Sequence, residues 1–176
     1  MLKNLTINVN PWQACYGLKL IKGKIRYWEE QDHSRWVFYD EKNRLYYKIW
    51  NDTYVRRDNI LNGINSGFYD NTTCPGLKGV IFDTNICRGY VMHELDNKGN
   101  LPFDNFYKLI KEKTLSTGYF FHDYDKKHIM SYQNLPCLLD LDGLYHLSDL
   151  DDFLQRRWHS SFLNNNYKSF VCNLVK

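Results

Sequence analysis

The sequence predicts an α+β fold in two lobes: an N-terminal antiparallel sheet lobe with one helix over residues 1–95, and a smaller helical lobe over residues 96–176. Three observations carry this expectation. Short segments rich in Ile, Val, Tyr, Trp and Phe, separated by polar breaks, recur between residues 17 and 50 and again between 78 and 93. Beyond residue 100 the apolar residues recur instead at helical spacing. No internal repeat or low-complexity tract divides the 176 residues, so one compact body, or two small lobes sharing a cleft, is the expected arrangement.

Taken in order, residues 17–21, 25–28, 36–39 and 45–50 read as strands, with Asp40-Glu41-Lys42-Asn43-Arg44 as a hairpin turn between the last two. A helix is expected from an N-cap at Asp52 or Thr53 to Ile64, with Val55, Ile60 and Ile64 as its apolar positions. Gly67, Pro75 and Gly76 mark a loop. Strands over 78–82 and 89–93 follow, joined by Asp83-Thr84-Asn85, which makes a sheet of about five antiparallel strands interrupted by one helix. A polar connector over 96–100 leads to a helix over 101–113, with Pro102 in its first turn and Gly118 as its stop. Apolar runs at 119–121 and 137–141 bracket the polar stretch 122–128, a strand-like Ile129-Met130 and a turn at Gln133-Asn134. The chain closes with a helix over 149–164, its start made favourable by Asp149, Asp151 and Asp152, and a loop at Asn164-Asn165-Asn166.

Composition narrows the function classes. With 43% hydrophobic and 16% aromatic residues the chain can pack a core, which excludes disorder. It has no run of about 18 apolar residues, and residues 1–10 lack a basic start followed by an apolar stretch, so neither a membrane partner nor a secretory leader is expected, and the expected location is cytoplasmic. The five cysteines are odd in number, widely spaced and without a CxxC pair, which argues for reduced thiols and against a structural zinc site or a disulfide framework. A net charge of +3, with Arg56-Arg57, Lys126-Lys127 and Arg156-Arg157 scattered along the chain, does not call for nucleic acid as a partner. One alanine against eighteen asparagines reflects AT-rich coding rather than chemistry.

The residues that carry chemistry concentrate between 122 and 143. His122-Asp123-Tyr124-Asp125-Lys126-Lys127-His128-Ile129-Met130 is followed by Leu138-Leu139-Asp140-Leu141-Asp142-Gly143. An Asp after an apolar run has a polar side chain five residues on, and a second apolar run ends in Asp seventeen residues later. This pattern resembles the catalytic loop and metal-binding segment of the protein-kinase-like superfamily. The resemblance implies that Asp123 orients an acceptor hydroxyl and that Asp140 holds Mg²⁺ or Mn²⁺ against the phosphates of ATP, with His128 and Asp142 as further metal positions. Asp-x-Asp endings of this kind are similar to those of the aminoglycoside- and sugar-kinase branches.

Upstream, Tyr46-Tyr47-Lys48-Ile49-Trp50 looks like the third strand that carries the phosphate-contacting lysine, here Lys48, with Asp58 as the nearest acidic candidate on the helix that follows. Met92-His93-Glu94-Leu95 falls where a hinge would bind adenine through its backbone. Residues 76–95, with Thr84-Asn85, Arg88-Gly89-Tyr90-Val91 and Glu94-Leu95, are particularly similar to the small kinase-like proteins of the YrbL (PhoP-regulatory-network) family. The likeness runs over residues 24–145. It implies a minimal two-lobed protein-kinase-like fold and ATP-dependent phosphoryl transfer to a hydroxyl of a protein or small-molecule acceptor.

A second reading is a pseudokinase that docks on a partner protein: the missing glycines and His128 favour it, while Lys48, Asp123 and Asp140 together favour the enzyme, and the chain departs from the family pattern as follows. Residues 29–35 hold no glycine to cradle phosphate and carry Glu29, Glu30 and Asp32. His128 stands where the family has Asn, the helix after Lys48 has no Glu, and the region after Asp142 is short. Plainer roles exist for each residue: Lys48 as a solvated edge lysine, Asp123 as a turn cap, Asp140 as the end of a buried strand and His128 as a loop histidine. Two rival motifs fail. The 33 residues after Gly143 are too few for the domain that a haloacid-dehalogenase-type phosphatase builds after its nucleophile, and an HD-type phosphohydrolase needs further ligands on an all-helical frame.

Overall fold

The computed structural model describes residues 6–24, 27–28, 31–32, 35–50, 56–96, 101–156 and 164–175. Most of the glycine-free stretch 29–35, the expected helix start at Asp52 or Thr53, most of the connector 96–100 and the end of the expected closing helix lie outside these residues. The chain divides into two compact units, Met1–Leu61 with Gly76–Leu95 and Asn62–Pro75 with Asp96–Lys176. The second unit therefore takes in residues 62–75, which lie N-terminal to the expected boundary.

Aromatic and β-branched segments build the first unit. Its elements are β1 (Thr6–Asn8), α1 (Pro11–Ala14), β2 (Lys19–Lys24), β3 (Tyr27–Trp28), β4 (Gln31–Asp32), β5 (Arg35–Asp40), β6 (Leu45–Trp50), β7 (Leu77–Asp83) and β8 (Ile86–His93); α2 (Asn59–Ser66), between β6 and β7, starts in this unit and from Asn62 belongs to the second. Six strands form one sheet in the order β1-β7-β8-β6-β5-β2, while β3 and β4 pair with each other. Every neighbour in the six-stranded sheet is antiparallel except β1, which runs parallel to β7 with Ile7 opposite Ile81. The mostly antiparallel sheet matches the expectation, and β1 is an addition to it.

Turn chemistry closes the hairpins where the sequence places them. Asp40 accepts from the Asn43 amide at 3.1 Å in the β5–β6 turn. Thr84 and Asn85 both take positive φ, 46° and 69°, in the two-residue β7–β8 turn, as its twist demands. At the start of α1, Pro11 occupies the first turn and the Asn10 side chain accepts from the amides of Trp12 and Gln13.

One face of the sheet carries the core cluster of Cys15, Ile49, Ile81 and Val91, against which Ile7, Leu18, Phe38, Leu45 and Tyr47 pack. Each fully buried aliphatic side chain there contributes about 1.5–3 kcal/mol. Because strand side chains alternate, placing Leu45, Tyr47 and Ile49 on this face turns Tyr46, Lys48 and Trp50 to the other.

The second unit is less helical than expected, because two strand pairs form within it. Its elements are α3 (Phe103–Thr117), β9 (Tyr119–Phe121), β10 (Ile129–Tyr132), β11 (Leu135–Leu138), β12 (Leu144–His146), α4 (Leu150–Arg156) and α5 (Asn165–Leu174). α3 buries Phe106, Ile110 and Thr114, four residues apart, and stops at Gly118, whose φ of 74° suits glycine. β9 pairs with β12 and β10 with β11, the second pair through a tight turn with Gln133 and Asn134 at φ 50° and 66°.

At the C-terminal end the structure corrects the asparagine reading. Asn164 is not a loop residue but the N-cap of α5, accepting from the Tyr167 amide at 3.0 Å. Asx residues serve turns and caps by the same hydrogen bond, and here Tyr167 and Val171, both fully buried, continue the helix. The expected closing helix over 149–164 is described as far as Arg156, as α4, with Asp151 and Asp152 where the helix dipole favours them, and Asn164 itself is extended rather than helical.

Candidate functional site

In the second unit two chain segments far apart in sequence lie side by side. The β9–β12 pair sets Phe121 opposite Leu144, so the residues after β9 and those before β12 meet at its end. There the His122 amide donates to the Gly143 carbonyl at 3.1 Å. The His122 ring, 3% exposed, places Nδ1 2.9 Å from that same carbonyl oxygen and Nε2 2.9 Å from Asp123 Oδ1. Asp123 Oδ2 stands over the Cα of Gly143, where an added Cβ would lie 2.9 Å from it. Among the described residues, His122 is the polar side chain that faces the Asp123 carboxylate.

The β10–β11 hairpin aligns the other two predicted groups. Ile129 sits opposite Leu138, and the Leu139 amide donates to the His128 carbonyl at 2.9 Å, so His128 and Asp140 are neighbours across the open end of the hairpin. Their closest atoms, His128 Nε2 and Asp140 Oδ2, are 3.9 Å apart, beyond hydrogen-bond reach. His128 Nδ1 is buried with no hydrogen-bond partner among the described residues. Asp140 is half exposed and adopts φ 53°, ψ 53°, a left-handed conformation that Asp tolerates better than most residues. The turn that follows is anchored by Tyr69, whose hydroxyl donates to the Leu141 carbonyl at 2.7 Å, and Asp142 within it is 2% exposed.

A carboxylate and an imidazole too far apart to bond each other leave room for a third atom between them. Among the described residues no group of three or more His, Cys, Asp or Glu side chains is arranged to hold a metal ion. Two protein ligands suit a cation that takes its remaining ligands from phosphate and water, and the imidazole suits Mn²⁺ better than Mg²⁺.

In the first unit Lys48 lies on a central strand, not an edge, because β6 is flanked by β5 and β8. It is 8% exposed, so the reading of a solvated edge lysine does not hold. Tyr90 is its cross-strand partner, and the Lys48 ammonium lies 5.5 Å from the centre of the Tyr90 ring. Gly89 lets the β8 backbone approach β6 closely, since a Cβ there would overlap the Lys48 carbonyl oxygen. Asp58 is exposed in the turn before α2, near enough to Cys87 to add to the upward push that burial gives that thiol.

The segment proposed to face adenine is partly engaged already. Met92 is buried in β8 opposite Leu77 and Tyr46, the His93 amide donates to the Gly76 carbonyl at 2.9 Å, and the Glu94 amide donates to the Arg44 carbonyl at 2.8 Å. Nothing among the described residues accepts from the Leu95 amide. The Glu94 side chain takes hydrogen bonds from Arg44 Nε at 2.6 Å and the Tyr39 hydroxyl at 3.0 Å, which hold its carboxyl below the usual range. Burial, with Lys78 nearby, pushes His93 down, so its imidazole is neutral at pH 7.

The structure thus groups Asp123, His128, Asp140 and Asp142 in one unit, and Lys48, Asp58, Met92, His93, Glu94 and Leu95 in the other. Sequence reasoning gave no role to Tyr69, Tyr90 or Gly143, and weighed His122 only as a metal ligand beside Asp123 in the rejected HD-type phosphohydrolase reading. His122 had a signal in being adjacent to Asp123, but which way its ring points depends on the β9–β12 pairing. No helix among the described residues is long and apolar enough to cross a membrane. No protein-family model and no curated protein matches the chain.

Proposed function

We propose that the chain is an ATP-dependent phosphotransferase of kinase-like type that moves a phosphoryl group to a hydroxyl. One observation carries this reading: strand pairing within the second unit draws Asp123 to Gly143 and His128 to Asp140, so the two carboxylates required for acceptor orientation and cation binding sit on adjoining segments. In this reading Asp123 accepts the hydrogen bond of the attacking hydroxyl and points its oxygen in line. Asp140 and His128 hold a Mg²⁺ or Mn²⁺ ion, which when bound neutralises phosphate charge. Taken by itself, the first unit has Lys48 as the residue to which the resemblance gives a phosphate contact, and residues 93–95 as the backbone to which it gives an adenine contact.

The test is a thermal-shift series with ATP, ADP and GTP, with and without Mg²⁺ or Mn²⁺, followed by transfer assays with labelled ATP. ATP with a divalent cation is expected to raise the melting temperature, with Asp140→Asn losing the cation-dependent part. Asp123→Ala is expected to keep that shift and lose about 10²-fold or more in turnover. Equal cation-dependent binding by Asp140→Asn and wild type, or no shift with any nucleotide, overturns the reading. The second reading, a pseudokinase that acts by docking, is favoured by the imidazole of His128 beside Asp140. It predicts that biological activity survives both Asp123→Ala and Asp140→Asn in complementation of the native host.

A further inference from the structure

We infer that His122 is the positioning residue of this site: its imidazole bridges the Gly143 carbonyl and the Asp123 carboxylate, and so sets the direction of Asp123 and ties it to the turn that carries Asp140 and Asp142. The inference rests on the reading that Asp123 is the working carboxylate. A carbonyl oxygen only accepts, so the 2.9 Å contact from Nδ1 to Gly143 requires the proton on Nδ1. That bond fixes one end of the ring. Tyr145 and Phe153 fix its plane, their centres 5.3 Å and 5.2 Å away with interplanar angles of 81° and 68°. With the ring immobile, Nε2 can point only where it does, 2.9 Å from Asp123 Oδ1, and since Nδ1 already holds one proton a hydrogen bond there uses a second, carried by Nε2 or by the Asp123 carboxyl.

Asp123 is then held from two sides. The ring faces Oδ1, and Oδ2 lies against the bare Cα of Gly143. Without the ring, no other polar side chain among the described residues faces this carboxylate, whose side chain is 24% exposed and free to sample other rotamers. A displacement of about 1 Å in a group that orients a nucleophile lowers turnover on the order of 10²-fold. A histidine filling only space in the core would impose no such link.

The experiment has two arms. In the first, a long-range ¹H–¹⁵N spectrum of ¹⁵N-histidine-labelled protein reads both ring nitrogens of His122, before and after Asp123→Asn. The bridge predicts a protonated Nδ1 that stays in place and an Nε2 resonance that moves, while Asp125→Asn moves neither. An Nε2 resonance unchanged by Asp123→Asn, or an unprotonated Nδ1, overturns the inference. The second arm compares variants in the transfer assay. His122→Gln retains a donor near the Nε2 position and is expected to keep turnover within about tenfold of wild type, while His122→Asn and His122→Phe lose about 10²-fold in kcat with KM for ATP unchanged. Equal kcat in all three variants overturns the inference. Absence of turnover in wild type counts against phosphoryl transfer, and the spectrum, which needs neither turnover nor a His122 variant, then decides the bridge alone.

Discussion

Replacing Gly143 by alanine places a single methyl group at the junction of the candidate site. The added Cβ would lie 2.9 Å from Asp123 Oδ2, 3.1 Å from Phe121 Cε2 and 3.3 Å from His122 Nδ1. Carbon atoms pack comfortably at about 3.5–4.0 Å, so the methyl overlaps three neighbours at once. Phe121 is fully buried and His122 is 3% exposed, so neither yields cheaply. Asp123, whose side chain is 24% exposed, is the part that gives way, and in doing so it leaves Nε2 of His122. Overpacking of this kind destabilises by about 1–3 kcal/mol. In a chain of this length that corresponds to a melting temperature lowered by about 2–12 °C. Urea unfolding followed by tryptophan fluorescence gives the stability, and the Asp123 carboxyl ¹³C resonance reports the displacement. A variant with the wild-type urea midpoint and an unmoved Asp123 resonance would refute the placement of that carboxylate over Gly143.

Three further predictions come from other parts of the molecule. Lys48→Met keeps an unbranched stem beside Tyr90 and removes the charge, so it is expected to fold with stability within about 1 kcal/mol of wild type while losing about 10²-fold in phosphoryl transfer; wild-type transfer rates would remove Lys48 from the chemistry. The Thr114 hydroxyl donates to the Ile110 carbonyl, so the Tyr167 hydroxyl donates to Thr114 Oγ1 at 2.7 Å and accepts from the Phe121 amide at 3.4 Å. Tyr167→Phe leaves that amide unsatisfied and should lower unfolding stability by about 1–3 kcal/mol, checked by urea titration. Burial raises the Cys87 thiol from 9.0 to about 12, so the unfolded state releases its proton first and stability falls as pH rises from about 9 to about 12. The gap in urea midpoint between wild type and Cys87→Ala should therefore shrink steadily over that range, and a constant gap would contradict the assignment.

Much of the local structure was legible because it depends on neighbours in sequence. The strands on either side of Asp40–Arg44 and of Thr84-Asn85 follow from period-two alternation and from turn residues that accept positive φ. Gly118 ends α3 for a reason that one residue contains, the ease with which glycine adopts the left-handed conformation. The spacing of Asp123, His128 and Asp140 marked the segments where chemistry was to be sought. Asparagine misled at position 164, because an Asx side chain bonds a nearby amide equally in a loop and at a helix start, and only the burial of Tyr167 and Val171 chose the helix.

Tertiary structure decided what depends on partners distant in sequence. β1 is three residues long, too short to show a period, and it exists as a strand because β7 offers an open edge more than seventy residues later. From sequence Lys48 has two readings, a phosphate-contacting lysine and a solvated edge lysine, and it is buried because β8 rather than solvent lies beside β6. The His122 ring has no preferred target until β9 and β12 pair, which brings a carbonyl twenty-one residues away to one nitrogen and leaves the other facing Asp123. Residue type and spacing along the chain thus set which groups were available and which local shapes could hold them. Which group faces which was set by strand neighbours and ring packing, since those contacts form only when distant segments meet.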